Sequence, residues 1–281
     1  MGNDLDSVGK SLNDTFKFLT KNYKMEFTEF VKIYLLMYVV AILGILIIGG
    51  AAFLILGSMI VLPNTPWILA IIGLVALLIV LIFVILTTSI SSTAYTVIDK
   101  KELDIFGKIK EILVPVAKYF IGMGLLKIAV FGIPAIIVLF GFLNNQQLML
   151  WLGVLLFILC ILVWIVIGFF IQFALVEIVI RKKDGIEAIK DSYRLVKKNI
   201  VATVVFDILL MVAMFAINAV FGAIQNLVGV VFIFGIFNIA FMVLGGIFMI
   251  VIMFFQSIIM GMIMIPAQYF FWKAIGGSNK K

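Results

Sequence analysis

The chain contains no histidine, one cysteine and few charged residues. The lack of histidine excludes His-based metal sites and the Ser–His and Cys–His nucleophile pairs of many hydrolases. Cys160 has no partner for an intrachain disulfide, and its apolar surroundings in the sequence predict a small packing side chain. With 12% charged and 65% hydrophobic residues over 281 positions, the chain cannot remain soluble. Most of its length is needed for membrane spans.

Charge is also missing from one side of the apolar runs. The turns at 63–66, 144–147 and 225–226 contain no Asp, Glu, Lys or Arg, whereas 20 of the 21 Lys and Arg residues lie in four blocks. These blocks are 1–32, 99–118, 177–199 and the tail from Lys273. The positive-inside rule predicts that the blocks and both termini face the cytoplasm, with an even number of crossings. Because these cations border membrane spans, the net charge of +7 indicates anionic lipid rather than nucleic acid as the partner.

Apolar runs long enough to cross a bilayer as helices predict six spans. They cover residues 33–57, 67–90, 120–143, 148–176, 200–224 and 244–272. A further apolar segment at 228–243 is expected to lie at the outer interface or to fold back, since a seventh span would place the basic tail outside.

The three charged blocks that precede pairs of spans share an apolar stripe with helical spacing. The stripes are Val8, Leu12, Phe16, Leu19 and Tyr23; Phe106, Ile109, Leu113, Val116 and Phe120; and Ile186, Ile189, Tyr193, Val196 and Ile200. We therefore predict an all-α polytopic membrane protein of six transmembrane helices in three hairpins, each preceded by a cytoplasmic-side amphipathic helix. The single domain 1–281 would contain repeats 1–98, 99–180 and 181–281. The alternative is that any membrane-proximal helix shows such a stripe, and Pro115 should kink or end the second helix.

The third block carries a longer motif. Residues 176–177 read Val-Glu, residues 185–199 read Gly-Ile-Glu-Ala-Ile-Lys-Asp-Ser-Tyr-Arg-Leu-Val-Lys-Lys-Asn, and residues 266–273 read Pro-Ala-Gln-Tyr-Phe-Phe-Trp-Lys. The chain resembles a prokaryotic six-span membrane family. That family includes the membrane domain attached to some glycerophosphodiester phosphodiesterases and stand-alone relatives of unknown function. The resemblance implies the fold, but the phosphodiesterase activity belongs to a separate soluble barrel that uses histidine.

Two charges lie within the predicted spans. Lys127 and Asp207 each follow a span-edge lysine by nine residues, which is about 13 Å along a helix. Their numbers differ by 80, the offset that aligns the second and third stripes, so they would occupy equivalent positions in two repeats. A charge at mid-span is costly. We predict a Lys127–Asp207 ion pair, with snorkelling of Lys127 and a local hydrogen bond of Asp207 as the alternative.

Uncharged polar residues in the spans are expected to satisfy hydrogen bonds. Candidates for bonds between helices are Gln172, Asn218, Asn238, Gln256 and Ser257. The hydroxyl-rich stretch 87–93 is expected either to bond its own backbone carbonyls or to line a wet cavity. Glu177, just before Arg181, Lys182 and Lys183, favours a local salt bridge over catalysis.

Three functions remain open. The leading hypothesis is a non-enzymatic accessory or scaffold protein without cofactor or metal, in the cell (plasma) membrane, that binds anionic lipid and a cytoplasmic protein partner. Its basic contact residues would be Lys182, Lys183, Lys190, Arg194, Lys197 and Lys198. The second is a transporter or channel for a solute, ion or lipid that uses Lys127 and Asp207. The third is a lipid enzyme with Asp207 and Glu177 as candidate acids.

Overall fold

The computed structural model describes residues 2–61, 66–99, 104–234 and 239–277. These residues form nine α-helices, and a short π-helical turn follows at Lys273–Gly277. The helices are α1 (Gly2–Val61), α2 (Pro66–Ser92), α3 (Ala94–Asp99), α4 (Ile105–Leu143), α5 (Gln147–Ile171), α6 (Ala174–Arg181), α7 (Gly185–Lys198), α8 (Ile200–Phe234) and α9 (Ile239–Trp272).

Six helical segments within the described ranges are long and apolar enough to cross a membrane. They lie in α1, α2 with α3, α4, α5 with α6, α8 and α9. Many of their outward side chains are apolar; in α5, for example, Leu148 is 84% exposed and Trp151 73% exposed. Such surfaces are stable against lipid chains and unstable against water. The prediction of an all-α polytopic membrane protein with six spans is confirmed.

The three charged blocks fold differently from one another. The first does not form a separate helix, because α1 continues from Gly2 through the first span to Val61. Residues 10–43 contain neither glycine nor proline, so nothing in this stretch breaks the helix. The second block begins α4, which runs through Pro115 without ending. In the third block alone, α7 is separate from the span, and the helical backbone breaks at Asn199 (φ −124°, ψ 37°).

The segment 228–243, expected to lie at the outer interface or to fold back, is helical wherever the structure describes it. Residues 228–234 continue α8, and residues 239–243 begin α9. The 35 residues of α8 measure about 52 Å, so this helix exceeds a hydrocarbon core of about 30 Å and must tilt or project from it. The position of residues 228–243 relative to the bilayer stays a prediction. Asn238 lies outside the described residues.

The chain divides into two compact units. Unit 1 comprises residues 1–109 and 201–281, and unit 2 comprises residues 110–200. In unit 1, α1 packs along α9 and α2. Its buried side chains include Phe30 and Ile33, and the rings of Phe206 and Phe271 stack with centroids 4.1 Å apart. The three repeats stay a prediction.

Hydroxyl groups near the end of α2 bond to their own helix. Thr87 donates to the Phe83 carbonyl at 2.8 Å, and Ser89 donates to the Ile85 carbonyl at 2.8 Å. Thr93, which follows the helix, donates to the Ile90 carbonyl at 2.6 Å. Of the two alternatives for 87–93, the structure supports backbone satisfaction at these three residues.

Polar side chains also join the spans of unit 1. Tyr38 of α1 and Ser257 of α9 share a hydrogen bond of 2.9 Å. Gln225 of α8 donates to Gln256 of α9, and Gln256 donates to Asn218 of α8, both at 2.7 Å. Interhelical bonding is thereby confirmed for Asn218, Gln256 and Ser257, as expected for amides and hydroxyls that have little access to water.

Candidate functional site

Unit 2 contains a sharp corner between α6 and α7. Lys182 ends α6 in the left-handed conformation (φ 55°, ψ 34°), and its N–H donates to the Glu177 carbonyl. A non-glycine residue in that conformation costs free energy, so the surrounding contacts must hold it. Asp184 is extended, and α7 starts at the next residue. The turn therefore brings the start of α7 back beside α6.

A buried ion-pair cluster holds this corner. Glu177 is 1% exposed, and its carboxylate lies 3.1 Å from Arg181 and 3.8 Å from Lys183. Lys183 also pairs with Asp191 of α7. The local salt bridge expected for Glu177 is confirmed. Because both carboxylates are engaged by cations, the cluster ties α6, the turn and α7 together.

Ser192 supplies hydrogen bonds to backbone groups beside the break between α5 and α6. Its hydroxyl is fully buried, accepts the Phe173 N–H at 3.1 Å and donates to the Phe170 carbonyl at 3.0 Å. The Phe173 N–H lies in the interruption at residues 172–173, and the Phe170 carbonyl belongs to the last turn of α5. A buried backbone group without a partner is costly, so this one side chain fixes α7 against the broken span.

The face of α7 that packs inward consists of small residues. Gly185, Ala188, Ser192 and Val196 are buried, at helical spacing. A Cβ on Gly185 would meet the Pro115 carbonyl oxygen and would lie 2.8 Å from the Tyr119 Cα of α4. Only glycine permits this approach of α7 to α4.

The apolar stripe predicted for the third block is not this buried face. Ile186, Tyr193 and Ile200 are 44–45% exposed, Ile189 is half-buried, and of the stripe only Val196 is buried. Helices approach most closely where side chains are small, so the neighbouring small-residue face takes the packed position instead.

The six predicted basic contact residues fall into two groups. Lys182 lies 2.7 Å from Glu111 of α4, and Lys183 belongs to the buried cluster. Lys190, Arg194, Lys197 and Lys198 are exposed on α7. Arg194 contacts Asp191 at 3.4 Å. In the described part of the chain, no ion pair joins Lys190, Lys197 or Lys198 to a carboxylate.

Two of these cations border a groove, here called the α7 groove. Helices α4 and α5 contribute apolar lining residues, which include Leu126, Val166, Ile167 and Phe170. Helix α7 contributes Ile189, Lys190, Tyr193 and Arg194. The volume is about 550 Å³, within the range of about 300–1,000 Å³ that is typical of small-molecule sites. The groove combines an apolar body with two cationic side chains.

A second groove lies farther along α4 and α5 and contains no charged side chain. It also measures about 550 Å³, and its lining includes Ala135, Val138, Leu139, Val154 and Phe157. We call it the uncharged groove. The two grooves differ in the presence of Lys190 and Arg194, so they form a natural comparison within one unit.

The two intramembrane charges belong to different units. In unit 2, the Lys127 ammonium lies 5.4 Å from the centroid of the Trp164 ring, a cation–π contact. In unit 1, Asp207 is half-buried on α8. The Lys127–Asp207 ion pair stays a prediction. The thiol of Cys160 donates to the Val130 carbonyl at 3.1 Å, consistent with a packing role.

The described ranges contain no group of three or more Cys, Asp or Glu residues arranged to hold a metal ion. The carboxylates of the corner, Glu177 and Asp191, are occupied by ion pairs instead.

One family model matches the region that contains this site. The model described as Domain of unknown function (DUF7847) covers residues 108–263, more than half of the chain. The chain belongs to the DUF7847 family. No curated protein and no solved structure matches it. The DUF7847 region includes the corner and both grooves, but the family description names no activity.

Sequence reasoning did not predict several residues that build the corner and the α7 groove. Gly185, Ser192 and the groove residue Leu126 were not singled out for a role. The small residues at 185, 188 and 192 were a usable signal, because such spacing marks a close helix contact in membranes. The groove had no sequence signal, since its apolar residues come from three helices.

Proposed function

We propose that this DUF7847 protein is a non-enzymatic accessory or scaffold component of a prokaryotic cell membrane. In this proposal it binds anionic lipid and a protein partner through the cations of α7. The observation that carries the proposal is the exposed basic face of α7, with Lys190, Arg194, Lys197 and Lys198 held in place by the corner. A rigidly mounted group of cations attracts anionic headgroups or an acidic protein surface.

The use of the corner carboxylates supports a non-enzymatic role. Glu177 and Asp191 neutralise Arg181 and Lys183, so the corner residues serve to position α7. The positive-inside distribution supports cytoplasmic termini and a position of α7 at the inner leaflet. There the surface potential of anionic lipids adds about 1 kcal/mol of attraction per lysine or arginine.

Extraction of the full chain from native membranes in mild detergent tests the proposal. Lipid analysis should find anionic lipid enriched over the bulk membrane, and mass spectrometry should find a stoichiometric protein partner. A variant with glutamine at all four α7 cations should lose both. The matched control exchanges lysine for arginine, and arginine for lysine, at the same positions and should keep both. Equal lipid and partner recovery from the glutamine variant would refute the proposal.

A second candidate function, solute or ion transport, is favoured by the polar contacts of unit 1. The chain Gln225–Gln256–Asn218 and the Tyr38–Ser257 bond lie on helices that cross the membrane. Polar groups in spans often line transport paths, although they also serve as interhelical contacts. Flux through proteoliposomes that contain the full chain tests this function. Flux that is unchanged by Asp207→Asn would remove Asp207 from the path.

A further inference from the structure

The α7 groove is chemically complementary to a phospholipid. It has an apolar part and, next to it, a part with two cations that can bind an anion. Its apolar part is formed by α4 and α5 and includes Leu126, Val166, Ile167 and Phe170. Lys190 and Arg194 stand one helical turn apart on α7, and both contribute to its lining. A phosphodiester has one negative charge and several acceptor oxygens, which suits two neighbouring cationic donors.

Arg194 remains available to a ligand despite its contact with Asp191. That contact is long, at 3.4 Å, and the Arg194 side chain is 72% exposed. Asp191 also pairs with Lys183, so its charge is already compensated. A guanidinium offers five N–H donors, and one contact leaves the others for phosphate oxygens.

We propose that the α7 groove is a specific site for one anionic glycerophospholipid. The phosphate binds Lys190 and Arg194, and an acyl chain lies against Leu126, Val166 and Phe170. This inference rests on the proposed function. It assigns lipid binding to a single site rather than to the whole basic face of α7. The uncharged groove has the same volume and holds acyl chains without selecting a headgroup.

The test uses native mass spectrometry of the full chain after removal of bound lipid. The purified protein is titrated with phosphatidylglycerol and, separately, with phosphatidylcholine of the same acyl composition. The affinity of the first lipid bound is measured in each case. Lys190→Gln with Arg194→Gln should lower phosphatidylglycerol affinity by about ten- to hundredfold, as expected for lost charged hydrogen bonds. Phosphatidylcholine has the same phosphodiester but also a choline cation, which Lys190 and Arg194 repel, so its affinity should be lower at the outset and should change less.

Two matched controls separate the groove from general electrostatics. Lys197→Gln with Lys198→Gln removes the same charge from the same helix at positions that do not line the groove, and it should lower phosphatidylglycerol affinity much less than Lys190→Gln with Arg194→Gln. Leu126→Trp fills the α7 groove without a charge change and should lower the affinity, whereas Val154→Trp fills the uncharged groove and should not. Helicity and melting temperature are measured for every variant, and only folded variants are compared.

Each outcome decides between the two proposals. If both double variants lose phosphatidylglycerol equally, the basic face binds lipid without a specific site, and the groove inference is overturned while the proposed function stands. If neither loses it, both fail. Unchanged phosphatidylglycerol affinity of Leu126→Trp overturns the groove inference. Copurification of a peptide segment in the groove, in place of lipid, also overturns it.

Discussion

Replacing Glu177 with glutamine should strongly destabilise the corner of unit 2. Glu177 is 1% exposed and lies 3.1 Å from Arg181, whose side chain is 12% exposed. Removal of one partner from a buried pair costs about 3–5 kcal/mol, because the remaining charge is left in a site with little water. Lys183 retains Asp191 as a partner, so the loss of the Glu177 charge affects chiefly Arg181.

The measurement is the free energy of unfolding of the full chain in mild detergent, from a denaturant titration followed by tryptophan fluorescence. Glu111→Gln is the matched control. Glu111 pairs with Lys182 at 2.7 Å, but the two side chains are 40% and 65% exposed. An exposed pair contributes about 0–1 kcal/mol. Equal effects of the two substitutions would refute the reasoning.

A double variant tests the cause of the Glu177 effect. Glu177→Gln combined with Arg181→Met removes both charges, so it should be more stable than Glu177→Gln alone. If the two effects add instead, the loss comes from packing or hydrogen bonding and not from an uncompensated arginine.

Three further experiments test other contacts. Gly185→Ala should destabilise the protein by about 1–3 kcal/mol, because its Cβ meets the α4 backbone, whereas Gly124→Ala, with open space around it, should be neutral in the same titration. Ser192→Ala should cost about 1–3 kcal/mol and speed hydrogen exchange at the α5–α6 break, and unchanged exchange would contradict the bridging role. For the predicted ion pair, Lys127→Met and Asp207→Asn should give a coupling energy in a double-mutant cycle of thermal stability; purely additive effects would exclude it.

The corner of unit 2 links the fold to the proposed function, because its residues hold α7 in place. The exposed cations of α7 are useful as a binding surface only if the helix is held in one orientation. Ser192, Gly185 and the Glu177 cluster supply three independent restraints of different kinds: hydrogen bonds, close packing and charge. Under the proposed function, loss of any one should therefore weaken lipid binding indirectly, through disorder of α7, without a change in surface charge.

Sequence reasoning identified the polar contacts that are local along the chain. Glu177 and Arg181 are four residues apart on one helix, so their pairing follows from helical periodicity. The hydroxyls of Thr87 and Ser89 reach carbonyls one turn back for the same reason. The helix ends near 228–243 could not be predicted, because hydropathy indicates where a span is possible but not where a helix stops.

The sequence by itself determined the six-span, all-α class, because about twenty consecutive apolar residues have no stable alternative to a membrane helix. It also determined which blocks carry the cations. Only the tertiary structure decided which face of α7 packs inward, since small and large apolar residues compete for that place and close approach favours the small ones. The α7 groove likewise forms only in the tertiary structure. Its lining comes from three helices, and no linear pattern reports how distant apolar residues meet.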